Sequence, residues 1–375
     1  MDKLQLLSNL KQAAHSTNKK LLACFPLYPP VELFHAAGFT PIVLWGLKES
    51  VDSLNESDRH LQSYACSVSR HLLQFLLSGA YKELDGIFYY NACDTLRNLP
   101  EILAEGLNEK GATIPFYAAH IPAGGLTHDC ARKYFKEQIT GLSEELKNNG
   151  HSFTPADFRE SIELYNNIKK LYRDFEGHVR RGEMSYITFT ETIAAGNFSL
   201  PEAHLAELQK ISAAFTGRET NHSISRSQPG ILISGILPPS PEIIAAIEEA
   251  GLRIAGNDVA TQRRSYGHIP EPHADPFDFY ASYYENRCAC PTLLYTADRR
   301  IEELNNYVEE TEARGIIFVG EKFCEYEYLE YPYLEKLFKA KNIPTLTLEL
   351  SAEDSPDPGA LKTRIEAFAE LLTEK

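Results

Sequence analysis

The chain has 375 residues, 43% apolar and 24% charged, which is an ordinary globular balance with length enough for two domains and ample core. Its formal charge of −15, from 37 basic and 52 acidic side chains, argues against a general nucleic-acid binder, because phosphate attraction needs basic surface. No run reaches the ~18 apolar residues of a membrane span. The opening Met-Asp-Lys-Leu-Gln-Leu-Leu lacks a signal peptide's apolar core and cleavage site, so the expected compartment is the cytoplasm.

Residues 1–20 read as a leading polar helix, and residues 21–28 as a short strand stopped by Pro29-Pro30. Residues 31–37 then form a helix ended by Gly38, with proline just before its first turn, as helix starts permit. Residues 41–45 are the next strand. Leu61, Ala65, Val68, Leu72, Phe75 and Leu76 recur at helical spacing, which predicts a helix over 61–77 with Cys66 near its start. Residues 85–90 are an apolar strand, a Leu-rich helix can start at Thr95, and 112–119 is a further strand. This alternation implies a parallel, doubly wound sheet.

The middle is helical without a convincing strand, over 131–146, 155–179 and 201–215. Phe158, Ile162, Tyr165, Ile168, Leu171, Tyr172 and Phe175 step by three or four and predict an apolar helix face. Residues 223–229 read as a polar linker. A second alternating half follows: strands at 231–237, 252–255, 315–319 and 345–350, and helices at 242–250, 277–285, 301–313, 331–340 and 361–372. Gly256-Asn257-Asp258 is placed at a strand end, and the Pro/His-rich stretch 267–276 is a loop long enough to suggest function. The expected fold is α/β: two doubly wound parallel-sheet domains, Rossmann- or flavodoxin-like. The expected boundaries are 1–150 for the first domain, 151–225 for a helical connector and 226–375 for the second domain.

Seven cysteines, at 24, 66, 93, 130, 288, 290 and 324, are an odd count in a chain too large to need disulfide staples. Cys93 follows the strand at 85–90 and is followed at once by Asp94; Cys324 follows the strand at 315–319 and precedes Glu325. Ligands of open α/β sheets gather at such strand ends. With Cys66, these two form the strongest constellation, soft thiolates suited to iron or zinc. Three of them would leave one metal position open. Their irregular spacing excludes the compact ferredoxin runs, and on spacing alone inert buried thiols are the simpler reading.

Other features stay open. Cys288-Ala-Cys290 is either a metal pair or structural, and Cys24 and Cys130 have no partner legible in sequence. Glu32 and His35, one helical turn apart, would face the same side as a proton-transfer pair or a solvated one. Asp258, Arg263 and Arg264 fit a phosphate or a partner protein, or an exposed charge cluster. The chain has no P-loop, no G-x-G-x-x-G after a strand, no H-E-x-x-H and no G-x-S-x-G. An independent ATPase, a standard NAD enzyme, a zincin and an α/β-hydrolase are therefore disfavoured.

Taken together, the stretch Cys24-Phe-Pro-Leu-Tyr-Pro-Pro-Val-Glu32-Leu-Phe-His35-Ala-Ala-Gly38, then Tyr64-Ala-Cys66-Ser67, Asn91-Ala-Cys93-Asp94 and Lys322-Phe-Cys324-Glu325 resemble the 2-hydroxyacyl-CoA dehydratase / benzoyl-CoA reductase family. The likeness runs over nearly the whole chain and is nearest to the smaller, β-type subunit. It implies a [4Fe–4S] cluster near the junction of two α/β domains, held by Cys66, Cys93 and Cys324, with Glu32 a candidate near the active site. It also implies a larger homologous α-type subunit that makes most of the acyl-CoA contacts, and a separate ATP-hydrolysing iron–sulfur activator. Neither nucleic acid nor membrane is expected as a partner. The implied role is relay of single low-potential electrons for ketyl-radical elimination of water from an (R)-2-hydroxyacyl-CoA thioester. Reduction of an aromatic ring in a benzoyl-CoA-type reductase is the alternative; a double-cubane cluster reductase and a non-catalytic α/β binding protein are further ones.

Overall fold

The computed structural model describes residues 3–25, 27–215, 228–350 and 358–373. Two four-stranded sheets organise it. The first holds β1 (Lys20–Cys24), β2 (Phe39–Val43), β3 (Gly86–Tyr90) and β4 (Phe116–Ala119); the second holds β5 (Gly230–Gly235), β6 (Arg253–Val259), β7 (Gly315–Glu321) and β8 (Thr345–Leu350). Their orders are β2-β1-β3-β4 and β6-β5-β7-β8, the same arrangement twice, and every pair is parallel. In each half the chain first builds outward from a central strand, then crosses to its other side. That reversal creates a switch point between β1 and β3, and another between β5 and β7, where open α/β sheets take ligands.

The strands are short apolar runs because helices cover both faces. All six residues of β5 are buried, as are the first six of β7. The helix Pro155–Arg180 ties the halves together. It starts from a capping box, Thr154 with Asp157. Its Phe158 and Ile162 enter the core of the first sheet; Ile168, Tyr172, Phe175 and Val179 enter that of the second. The predicted aromatic stripe is thus divided between two cores. The helix Pro276–Asn286 crosses the other way, placing Phe277, Phe279, Tyr280 and Tyr284 in the first core.

Three expectations are corrected. The helix expected over 61–77 begins at Ser67, and residues 63–65 are turn and bend, so Cys66 precedes the helix rather than lying on it. Gly256-Asn257-Asp258 is interior to β6, because Arg264 and Arg300 neutralise the buried Asp258. The helix expected over 331–340 starts early, at Glu325, and runs to Ala340. A helix not expected, Tyr186–Gly196, is capped by Ser185 Oγ, which accepts from Thr188 N. Of the expected linker at 223–229, the part up to residue 227 lies outside the described residues. Among the described residues, no helix is long and apolar enough to cross a membrane.

Candidate functional site

Cys66, Cys93 and Cys324 line one pocket. Its other walls come from the ends of the central strands: Leu27 after β1, Ala92 and Leu96 after β3, Ile236 after β5, Glu321 and Tyr326 around the end of β7. The pocket therefore sits on both switch points at once. Each cysteine is the residue immediately before a helix: Ser67–Leu77, Asp94–Glu109 and Glu325–Ala340. Helix N-termini carry free N–H groups and a partial positive charge, which suits an anionic sulfur or an anionic group bound between them. Cys93 Sγ accepts from Leu96 N at 3.4 Å, and Cys66 Sγ lies 3.5 Å from Ser69 Oγ.

Left as thiols, the three are hard to ionise. Burial pushes Cys93 up to about 12, with the neighbouring Cys66 adding to it. Burial also raises Cys66, helped by the charge of Glu321, and raises Cys324, helped by Glu327 and by the other two sulfurs. Such a dry, mutually repelling trio keeps its protons until a cation replaces them. Among the described residues, no three His, Cys, Asp or Glu side chains converge closely enough to hold a single metal ion. The cavity between the thiols measures about 60 Å³. A single water needs roughly 10–15 Å³ of such space, so the cavity has room for more than one water-sized occupant. The donor set, three soft thiols at helix N-termini, fits an iron–sulfur group.

Glu321 is the carboxylate that stands out here. It lines the thiol pocket, and among the described residues its buried Oε1 has no hydrogen-bond partner. Burial, then Glu327, push its pKa up to about 8. It is invisible in the sequence as a site residue, because strand-final glutamates are common and nothing marks this one's carboxylate oxygen as enclosed.

Glu32 is placed in a second cavity of about 150 Å³, which shares Leu27 and Trp45 with the first as walls. There it is fully engaged: Lys169 Nζ donates to Oε1 at 2.9 Å and Tyr280 Oη to Oε2 at 3.1 Å. Lys169 also stacks on Tyr283, 4.4 Å from the ring centre. Burial opposes the ammonium, but Glu32 and Tyr283 outweigh it and raise the Lys169 pKa. His35 turns elsewhere, to Ser161 Oγ at 2.8 Å and Glu202 Oε1 at 3.1 Å, so the two do not form a proton-transfer pair.

The remaining candidates are structural in their contacts. Asp258 is buried between Arg264 at 2.7 Å and Arg300 at 2.5 Å, and Arg263 lies over the Tyr307 ring at 3.7 Å. This is a neutralised interior network, not an exposed charge cluster. Cys290 is buried, 3.6 Å from Arg264 Nη1 and 3.2 Å from Thr292 Oγ1. Cys24 is buried and Cys130 exposed; neither lines the thiol pocket.

Two doubly wound sheets of one strand order, sharing a three-thiol pocket at their switch points, define a paired α/β protein with a soft-ligand site. The family described as 2-hydroxyglutaryl-CoA dehydratase, D-component, matches residues 26–372, and the chain belongs to it. It is 27% identical over 363 residues to the (R)-phenyllactyl-CoA dehydratase beta subunit of Clostridium sporogenes, covering 95% of this chain and 92% of that one. Identity is 28% over 369 residues to the beta subunit of the (R)-2-hydroxyglutaryl-CoA dehydratase of Acidaminococcus fermentans, covering 94% and 93%. It is 25% over 365 residues to one of the subunits of the benzoyl-CoA reductase of Thauera aromatica, covering 95% and 91%. These relatives are subunits of enzymes, and this chain is an enzyme subunit of the same type.

Proposed function

We propose that this chain is the iron–sulfur subunit of an (R)-2-hydroxyacyl-CoA dehydratase, with Cys66, Cys93 and Cys324 holding a [4Fe–4S] group. The observation that carries it is the convergence of three cysteines, from both halves of the chain, before three helix N-termini in one pocket. When bound, the group supplies one-electron chemistry at low potential, which no side chain offers. The chain's own residues do the rest. The helix N-termini offset negative charge, which favours the more reduced, more anionic state. Leu27, Trp45, Val68, Leu96 and Ile236 wall the pocket with apolar surface, which excludes water.

The two dehydratase relatives above are beta subunits, which supports an α-type partner subunit; in this reading that partner is the larger one and binds most of the acyl-CoA. In this reading ATP hydrolysis falls to a separate iron–sulfur activator, a division of labour that a chain with no P-loop motif fits. The Thauera relative supports a second reading, a subunit of an ATP-dependent benzoyl-CoA-type reductase. Both readings use the same pocket, and the cytoplasm is the proposed compartment.

The test is iron and acid-labile sulfide per chain on protein purified without oxygen. We expect about four of each in the wild type and most of both lost in Cys93→Ala. Full iron and an unchanged visible spectrum in that variant would remove Cys93 from the ligand set. A folded wild-type chain that takes up no iron would leave the thiols structural.

A further inference from the structure

Three thiolates leave one iron of a [4Fe–4S] group without a protein ligand. Four carboxylates stand near the pocket, and they are not equivalent. Asp94 is exposed and pairs with Arg97 at 3.2 Å. Glu325 is exposed as well. Glu327 is buried, but its oxygens are committed: Ile236 N donates at 2.7 Å, Glu321 N at 2.8 Å and Tyr331 Oη at 2.7 Å. These bonds hold the ends of β5 and β7 to the following helix.

Glu321 differs from the other three. It lines the thiol pocket as Asp94 and Glu325 do, but it is not exposed as they are, and among the described residues its buried Oε1 lacks any hydrogen-bond partner. Leaving a buried carboxylate oxygen unpaired is costly, so an unpaired one marks a missing partner. The backbone also ties this residue to a thiol. Lys322 and Phe323 turn back, Phe323 at φ +67°, and Cys324 N donates to the Glu321 carbonyl at 2.9 Å. One tight turn thus delivers a carboxylate and a cysteine to the same cavity.

We propose that Glu321 is the fourth protein ligand, its carboxylate taking the iron position that Cys66, Cys93 and Cys324 leave open. The assignment rests on the iron–sulfur reading given above. An oxygen on one iron and sulfur on three makes that iron chemically distinct. A carboxylate also exchanges more readily than a thiolate, so the position can open to another ligand while the thiolates keep the group in place.

The experiment uses the full chain loaded with iron and sulfide without oxygen. Grown on ¹³C-carboxyl-labelled glutamate and reduced, the wild type is expected to show ¹³C hyperfine coupling by electron–nuclear double resonance, and Glu321→Gln to lose it. With ⁵⁷Fe, Mössbauer spectra should show one distinct iron in the wild type, whose signature alone changes in Glu321→Gln. That variant should take up the same iron yet lose a single iron to a chelator roughly tenfold faster on mild oxidation.

Absence of ¹³C coupling in the iron-loaded wild type overturns the assignment, and that result needs no variant to fold. Coupling that persists in Glu321→Gln overturns it too, and points to another carboxylate. Both results leave the cluster reading standing. Wild-type protein without iron overturns both readings at once.

Discussion

Glu32 shows what a buried charge does before any chemistry is asked of it. Its two oxygens are taken by Lys169 and Tyr280, and both members of the ion pair are almost wholly buried. Removing one partner of such a pair leaves the other charged and dry, which typically costs about 3–5 kcal/mol, whereas replacing both together is far milder. Lys169→Met is therefore expected to lower the unfolding free energy by about that amount, and Glu32→Gln with Lys169→Met to recover most of it, read from denaturant midpoints. If the double variant is no better than the single one, the pair is not the source of the cost. Sequence reasoning picked out Glu32 from its place after Pro29-Pro30, but paired it with His35 on helix periodicity. The real partner comes from 137 residues away, and no local pattern encodes it.

At the scale of elements, strand spacing fixes the pocket. Gly235 ends β5 opposite Val319 on β7, and a Cβ there would stand 2.5 Å from the Val319 carbonyl oxygen. That neighbour is backbone, so the two central strands would have to part. They carry Ile236 and Glu321, walls of the thiol pocket. Gly235→Ala is expected to destabilise by about 1–3 kcal/mol and to lower iron per chain. Gly141→Ala is the contrast. It lies exposed in the helix Asp129–Asn148 with nothing near its Cβ position, and should stabilise by about 0.5–1 kcal/mol with iron unchanged. A Gly235→Ala chain with normal stability and iron would show that the strands tolerate the extra carbon.

Elements were legible where apolar runs were bounded by Gly or Pro. Both sheets follow from strand–helix alternation, and the helix Pro201–Phe215 has the bounds its pattern predicts. The pattern failed where long-range contacts override it. β6 runs on through Asp258 because Arg264 and Arg300 close over it. The helix Glu325–Ala340 starts six residues before its apolar stripe because Glu327 is buried by bonding backbone N–H groups of other elements.

The whole molecule is not two independent halves. Helix Pro155–Arg180 feeds both cores, helix Pro276–Asn286 completes the first from within the second half, and the thiol pocket needs both sheets. Cys93 and Cys324 were legible as strand-end residues and Cys66 only as a helical one, and the meeting of all three depends on this interlocking and on the shared strand order. Stability is correspondingly a property of the whole chain, and its pH dependence sums groups in both halves. His204 sits between the two halves, its Nε2 2.6 Å from Tyr172 Oη, and burial lowers its pKa to about 4 from 6.5. Between those values the unfolded chain binds a proton that the folded chain refuses, so this group makes stability fall as pH drops through that window. Glu321, raised to about 8, acts in the opposite sense in the metal-free chain, so the contribution of His204 is read by difference. Metal-free His204→Gln is expected to lose less stability than the metal-free wild type between pH 7 and pH 4.5, measured as the shift in urea midpoint at constant ionic strength. Parallel pH profiles for the two proteins would mean that His204 protonates as readily in the folded chain as in the unfolded one.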